Sequence, residues 1–340
     1  MRRRDFITVV SGAAAAWPIA ARAAASKTIV AVAIGEVGNS QIIRTTPAPA
    51  GVRPYIQGVI DGLSANNFLI GDANHYVIDY REFPQDQLNH PDNFTPSDST
   101  LPADYLILAM STTVVWNASR HQKRRPIVAI VSDPKGMGIK ASNICGISGQ
   151  RSQFGNEYYR KFDATVASPR LTTIYVLVKE GYPPALDTLR DIDRINPSID
   201  PTVVNVPTAE VIEETIMGLP LGSGGLLLLP ADWFFAQPQK ITNWARRQML
   251  PDFWPVTDWV NNTASSALSG YGVPQKKCGE LLGRRIAEIW NNNGNIPPGI
   301  KFPAVQRRDI VWQASEAAAT ALRIRLGDDR DLEILRYPPR

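Results

Sequence analysis

The residues best placed to do chemistry are three adjacent hydroxyl side chains, Ser111, Thr112 and Thr113. They follow an apolar run, Asp104–Met110, that predicts a buried strand, and they precede a segment with helical spacing. Hydroxyls and unpaired backbone N–H groups at the start of a helix are suited to bind a carboxylate or another anion. The alternative is that the same hydroxyls only cap the helix. The three residues therefore predict either an anion-binding turn or a helix cap.

Other polar and aromatic side chains also follow predicted strands, where the ligands of open parallel sheets bind. The expected ligand contacts are Glu36, Asn39, Ser132 and Asp133 in the first half of the chain, Tyr182, Asp232 and Trp233 in the second half, and Tyr271 at an expected crossing between lobes. The two aspartates suit an amine or a hydroxyl, and the indole ring suits a flat ligand. The alternatives are turn or capping roles for the aspartates and core packing for the ring.

These side chains depend on strands and helices that alternate in two runs, with a break near Gly149. Strands separated by helices predict parallel sheets with helices on both faces. We therefore expect an α/β chain of two doubly wound parallel-sheet lobes joined by a hinge of several segments. The predicted N-terminal lobe contains residues 26–148 and 272–302, and the predicted C-terminal lobe contains residues 149–271 and 303–340. The polar, proline-rich segment Pro84–Pro102 has no periodicity and predicts a surface loop.

The first 25 residues have the pattern of an export signal. A basic head containing Arg3-Arg4 is followed by an uncharged stretch, Ile7–Ala21, and by small residues up to Ala25. The arginine pair, followed by an acidic residue and a phenylalanine, fits the twin-arginine type of signal. The alternative is an amphipathic or membrane-spanning N-terminal helix, but a spanning helix needs about 20 apolar residues, and Pro18 interrupts this stretch. We therefore expect the working protein in the bacterial periplasm.

Charge and motif content argue against several classes of function. The chain has 36 Lys and Arg against 32 Asp and Glu; without residues 1–25 these counts are 32 and 31, a net charge of +1. No basic stripe remains that would indicate nucleic acid as a partner. The sequence lacks the nucleophile-elbow, phosphate-loop, zinc-protease and dinucleotide motifs. We therefore expect no catalytic residue, no metal and no cofactor.

The two cysteines, Cys145 and Cys278, leave two alternatives open. An oxidising compartment permits a disulfide bond between them. A twin-arginine substrate folds before export in a reducing compartment, which favours free thiols, and free cysteines are among the most buried residues. Either state is compatible with the sequence.

Several short motifs occur in order along the chain. They are Arg3–Thr8 with Ala14–Ala23, Arg125–Val128, Asp133–Gly138, Asn143–Ser148, Leu268–Gly272, Ile296–Pro298 and Phe302–Ala318. In this order and spacing the chain resembles the solute-binding proteins of bacterial ABC importers with the type I periplasmic-binding fold. More narrowly, it is similar to the group that includes tryptophan- and phenylalanine-binding members, and the resemblance covers nearly the whole chain after residue 25.

The resemblance implies an extracytoplasmic protein that closes on a small carboxylate-bearing solute, aromatic or amino-acid-like, and delivers it to an ABC permease by transient contact. It also implies a monomer without a cofactor, and a ligand contact for the turn at Ser111–Thr113. Its hinges would lie near Gly149–Arg151, Ser269–Gly272 and Lys301–Val305. Two alternatives remain: a sensory ligand-binding protein of the same fold without an importer, and a secreted α/β enzyme.

Overall fold

The computed structural model describes residues 27–34, 43–45, 54–70, 76–83, 105–131, 134, 138–148, 155–179, 188–190, 192, 201–222, 224–229, 231, 234–235, 237–261, 263–299 and 302–336. Along these residues strands and helices alternate in two runs, as the sequence predicts. The predicted export signal and the predicted loop at Pro84–Pro102 lie outside the described residues.

The first run of elements builds a six-stranded sheet. In chain order it contains β1 (Lys27–Ile34), β2 (Ile43–Thr45), α1 (Pro54–Ser64), β3 (Tyr76–Phe83), β4 (Tyr105–Ala109), α2 (Thr112–His121), β5 (Ile127–Val131) and β6 (Ile144–Ser148). The strand order is β2-β3-β1-β4-β5-β6. Strand β2 is antiparallel to β3, and the other neighbours are parallel.

The second run builds a larger sheet and also contributes one helix, α6 (Gln275–Asn291), that packs on the first sheet. It contains α3 (Gly155–Thr165), β7 (Val166–Ser168), β8 (Ile174–Lys179), β9 (Pro201–Val206), α4 (Ile212–Met217), β10 (Gly225–Leu228), α5 (Pro238–Arg247), β11 (Asp252–Trp254), β12 (Ser269–Gly272), α6 (Gln275–Asn291), β13 (Val311–Ser315), α7 (Glu316–Ala321), β14 (Arg325–Leu326) and β15 (Glu333–Leu335).

The seven-stranded sheet has the order β15-β13-β12-β11-β10-β8-β9, and β7 pairs with β14 separately. Strands β9, β8, β10, β11 and β12 run parallel, whereas β13 is antiparallel to β12. The three-residue strands β2, β7, β11 and β15 were not predicted, because three residues are too short to display an alternating pattern.

Each sheet is covered by helices on both faces. In the first sheet, Ile29 and Ile78 pack in one core with α1 and α6, and Val30 and Val32 pack in another with α2. In the second sheet, one core contains α3 and α7 and the other contains α4 and α5. Strands buried on both faces must be apolar at nearly every position, which explains runs such as the one in β1.

Helices α1 and α6 pack at the distance of backbone contact. A Cβ added at Gly58 would lie 1.9 Å from the Lys276 carbonyl oxygen, and one at Gly279 would lie 1.9 Å from the Tyr55 carbonyl oxygen. Gly62 is equally restricted, because its Cβ would lie 2.3 Å from the carbonyl oxygen of Glu280. These glycines hold α6 on the first sheet although α6 follows β12 of the second.

The chain therefore crosses between the two sheets three times: from β6 to α3, from β12 to α6, and from α6 to β13. Two of these crossings are bonded to each other. The Ser148 N–H donates to the Pro303 carbonyl at 2.9 Å, and the Val305 N–H donates to the Ser148 carbonyl at 3.0 Å. We call residues 148 and 303–305 the paired crossing. The lobe boundaries given above stay a prediction.

Both cysteines are buried free thiols in the core beneath α6, which decides between the two alternatives left by the sequence. Burial raises the pKa of the Cys145 thiol to about 12, so this thiol stays protonated at neutral pH. Among the described residues no helix has the length and apolar composition needed to cross a membrane.

Candidate functional site

The carboxyl edge of the first sheet brings together the first-half candidates that sequence places far apart. Strands β1, β4 and β5 are neighbours and run parallel, so their last residues, Ile34, Ala109 and Val131, share one edge. The segments that contain Glu36 and Asn39, Ser111–Thr113, and Ser132 and Asp133 all leave the sheet there. Glu36, Asn39, Ser132 and Asp133 themselves lie outside the described residues.

The Ser111 hydroxyl caps α2. It accepts a hydrogen bond from the Val114 N–H at 3.2 Å, and its backbone is extended, as an N-cap requires. Thr112 is buried and Thr113 is half-buried in the first turn. The backbone N–H groups of a first helical turn have no partner within the helix. The capping alternative therefore holds for Ser111, while anion binding at this turn stays a prediction.

Buried charges on β3 lie close to the same edge, and sequence reasoning missed them. Arg81 donates to the Asp79 carboxylate through Nε at 3.2 Å and through Nη2 at 2.7 Å, and both side chains are buried. On the other face of the strand, the Tyr80 hydroxyl donates to Glu82 at 2.8 Å. Glu82 is opposite Ala33 of β1, one residue before the end of that strand. The sequence did contain a signal for them, namely three charged residues within one short strand. Burying charges is costly unless they are paired, so such a strand indicates a paired, buried group of charges.

The second sheet has a corresponding edge. Strands β8, β10 and β11 are parallel neighbours and end at Lys179, Leu228 and Trp254. The candidates Tyr182, Asp232 and Trp233 follow two of these strands and lie outside the described residues. The structure thus describes the strands that precede these side chains and nothing of the side chains themselves.

The aromatic residues near this edge serve mainly as core. Trp254 and Phe234 are fully buried between β10 and α5. The Trp254 ring meets Trp259 edge-on at 4.7 Å between centroids, and Phe235 lies 5.3 Å from Trp259. Trp259 and Phe235 are both half-buried, so these two rings of the cluster are partly open to solvent. The role of Trp254 is therefore core packing and not stacking against a ligand.

A buried carboxylate organises the same region. Asp252 accepts from the Leu268 N–H at 3.0 Å, from the Thr242 hydroxyl at 3.0 Å and from the Trp254 indole N–H at 2.6 Å. Burial raises its pKa, while these hydrogen bonds and the nearby Arg246 oppose the rise. Asp252 thereby holds β11, α5 and the start of β12 together.

Tyr271 lies on β12, two residues before the chain crosses to α6. Its ring is buried beside Trp312, and its hydroxyl donates to Glu157 Oε2 at 2.6 Å. Burial and this bond to a carboxylate raise the pKa of the Tyr271 phenol. The tyrosine therefore anchors the crossing to α3, and its hydroxyl is occupied within the protein in this conformation.

The crossing from β12 to α6 is held by two further features. A Cβ at Gly270 would lie 2.2 Å from the Val256 carbonyl oxygen, and one at Gly272 would lie 2.3 Å from the Pro255 carbonyl oxygen, so only glycine allows β12 to lie this close to the preceding loop. Asp258 of that loop accepts from the Gln275 N–H with both carboxylate oxygens, at 3.0 and 2.9 Å. The loop after β11 is thereby tied to the start of α6.

Comparison with known proteins identifies solved structures with a similar architecture. No protein-family model matches the chain, and no curated protein matches it. Solved structures do match over nearly the full length. The chain is similar to a conserved domain protein from Vibrio cholerae (15% identity, TM-score 0.69, covering 92% of this chain and 99% of that chain) and to an ABC domain in complex with L-Trp from Streptococcus pneumoniae (13%, 0.67, 92% and 99%).

The chain has the type I periplasmic-binding fold. The predicted fold class, two doubly wound parallel-sheet lobes, is confirmed. A ligand-free, open substrate-binding protein with adhesive properties from Clostridium difficile has the same fold (18% identity, TM-score 0.57, covering 92% and 100%). The type I fold also occurs in a transcriptional activator of the comK gene from Bacillus halodurans (11%, 0.50, 87% and 93%). At these identities the likeness shows the fold and not the ligand.

Proposed function

We propose that the protein is an extracytoplasmic solute-binding protein of an ABC importer, which binds a small carboxylate-bearing solute between its two lobes. The observation that carries the proposal is the pair of parallel sheets joined by three crossings, each sheet with candidate residues at its carboxyl edge. This is the arrangement in which α/β proteins bind small ligands. Similarity to a substrate-binding protein and to an ABC domain in complex with L-Trp supports the general role.

The proposed solute site combines residues from both edges. Ser111–Thr113 would supply hydroxyl and N–H donors to the carboxylate, because they form the start of α2, where the positive end of the helix dipole favours an anion. The other proposed contacts are Glu36, Asn39, Ser132, Asp133, Tyr182, Asp232, Trp233 and Tyr271. For Tyr271 to contact the solute through its hydroxyl, that hydroxyl would have to exchange Glu157 for the solute on closure.

The proposed mechanism is hinge closure. A solute that touches both lobes lowers the free energy of the closed state relative to the open one. Only this difference in affinity shifts the populations of the two states. The lobes would comprise residues 26–148 with 272–302 and residues 149–271 with 303–340. On closure the two lobes would rotate relative to each other about the crossings. The closed form would then contact a permease in the inner membrane.

A ligand screen followed by a scattering measurement tests the proposal. Amino acids, aromatic acids and other small carboxylates, including L-tryptophan, L-phenylalanine and benzoate, are added to the purified protein, and a ligand raises the melting temperature by mass action. A true solute should also reduce the radius of gyration in small-angle X-ray scattering. Turnover of the added compound would instead indicate an enzyme and contradict the proposal.

The second candidate is a ligand-sensing protein without an importer, which is favoured by the occurrence of this fold in a transcriptional activator. Uptake of the identified solute separates the two. Cells that lack the protein should lose high-affinity uptake if it serves an importer, and should keep it if the protein is a sensor. Replacement of Arg3-Arg4 by two lysines tests the proposed export route, since a twin-arginine precursor would then accumulate in the cytoplasm.

A further inference from the structure

A cavity of about 700 Å³ lies at the hinge, bounded by α6 and by the segment that leads from α6 into β13. Ile147 of β6 contributes from the first sheet, and Val311 of β13 contributes from the second. The paired crossing contributes Pro303, Ala304 and Val305 to the lining. Among the residues that the structure describes, none of those proposed for the solute site lines this cavity. We call it the hinge cavity.

The charge of the hinge cavity is positive. Four cationic side chains line it and only two acidic ones do. Both acids already have partners: Glu288 pairs with Arg285, and Asp309 lies 3.8 Å from Lys277. Within the described part of the chain, no carboxylate lies within 4.0 Å of the guanidinium groups of Arg284 or Arg308. Two arginines therefore remain available to an anion.

The remaining walls of the hinge cavity are largely apolar and include Ile147, Leu281 and Val305. Small-molecule sites are typically concave spaces of about 300–1,000 Å³ with apolar walls and a few placed polar groups. Arginine is the residue suited to carboxylate, sulfonate and phosphate groups, because its planar fork donates two parallel hydrogen bonds. The combination fits a molecule with an apolar body and an acidic head.

We propose that the hinge cavity is a second ligand site, which binds a small amphiphilic organic anion through Arg284 and Arg308. A ligand there would rest against the paired crossing, because Pro303, Ala304 and Val305 are part of the wall. The hydrogen bonds from Ser148 to Pro303 and from Val305 to Ser148 would then open less often. The anion would thereby stiffen the hinge, and its effect on solute binding rests on the function proposed above.

Titration of the full-length mature protein with anilinonaphthalene sulfonate tests the site directly. This dye is an aromatic sulfonate whose fluorescence rises in apolar surroundings. The R284E/R308E variant should bind it at least about tenfold more weakly than the unchanged protein, because charge-assisted hydrogen bonds to both arginines are lost. The matched control is R160E/R247E, which makes the same charge change at exposed positions on α3 and α5 and should keep the affinity.

If charge reversal lowers the melting temperature, R284Q/R308Q replaces it, since glutamine removes the charges without adding acids to the helix. Equal dye affinity in the arginine variants and the control would overturn the site. Hydrogen exchange supplies the second measurement: the dye should slow exchange of the Ser148 and Val305 amides in the unchanged protein and not in R284E/R308E. Unchanged exchange despite dye binding would overturn the effect on the hinge.

The two proposals fail separately. Dye binding at the arginines needs neither a solute nor an importer, so a negative solute screen leaves this site standing. Conversely, if the hinge cavity proves not to be a ligand site, the proposal of hinge closure on a solute is unaffected.

Discussion

Tyr271 of β12 and Glu157 of α3 are joined by a hydrogen bond of 2.6 Å at the base of the hinge. The other carboxylate oxygen of Glu157 lies 3.6 Å from Arg307, just before β13. One carboxylate on α3 therefore holds the end of one crossing and the approach to another. In the proposed hinge closure, this carboxylate would be the fixed base of the crossings in the second lobe.

Replacing Tyr271 by phenylalanine should lower the free energy of unfolding by about 1 kcal/mol, since one partly solvated hydrogen bond to a carboxylate is lost. Urea unfolding of Y271F, E157Q and the double variant measures the coupling between the two residues. If the losses of the single variants simply add, the two side chains do not interact and the proposed base is wrong.

Replacing Gly279 by alanine should destabilise the protein by about 3 kcal/mol or more, because the new Cβ would lie 1.9 Å from the Tyr55 carbonyl oxygen and neither helix backbone can yield cheaply. Thermal unfolding measures the loss. The control is G218A at the exposed end of α4, where the nearest atom would be 3.2 Å away. Equal melting temperatures for the two variants would show that α1 and α6 are not in backbone contact.

The D252N variant should lose about 2 kcal/mol of stability at neutral pH, because an amide nitrogen cannot accept from Thr242 or Trp254. The pH dependence follows from the raised pKa of Asp252. The folded state binds this proton more tightly than the unfolded state, so the carboxyl group favours folding at low pH. That contribution is lost as the pH rises from the ordinary value of 3.8 through the raised folded pKa.

Denaturant unfolding measured across this pH range checks the sign. The unchanged protein should show the stability loss attributable to Asp252, and D252N should show a flatter profile there. A profile identical to that of the unchanged protein would mean that Asp252 does not titrate differently on folding.

The Cys145 thiol should resist thiol reagents in the native protein at pH near 8 and react after unfolding, because it is buried and its pKa is raised to about 12. The same shift predicts that stability falls between the ordinary value of 9.0 and about 12, where only the unfolded thiol ionises. A thiol assay in denaturant should find two reactive groups per chain, Cys145 and Cys278. Finding none would show that the two cysteines are bridged.

Changing Ser111, Thr112 and Thr113 together to alanine should weaken solute binding more than tenfold, or about 1.4 kcal/mol. The single variant S111A separates the two roles of the turn. It should cost about 1 kcal/mol of stability through loss of the cap on Val114. If the triple variant binds the solute identified in the screen as tightly as the unchanged protein, the three hydroxyls do not belong to the site.

Much of the fold could be predicted because its signals are local. The apolar runs at β1, β4, β5 and β8 are long enough to indicate strands, and the helical spacing of α6 was visible over 17 residues. Strands β2, β7, β11 and β15 were not predicted, because three residues are too few to show a period. The candidate site was predicted only as positions after strands, since that rule names an edge of a sheet and not the direction of a side chain.

The sequence by itself determined the alternation of strands and helices, and with it parallel sheets covered on both faces, because apolar periodicity is a property of neighbouring residues. The tertiary structure alone decided that β1, β4 and β5 end side by side, that α6 returns to the first sheet through glycine contacts with α1, and that Tyr271 is bonded to Glu157. These relationships join residues far apart in the chain. Their formation depends on which faces and edges remain to be covered once the local elements exist, and no short stretch of sequence contains that information.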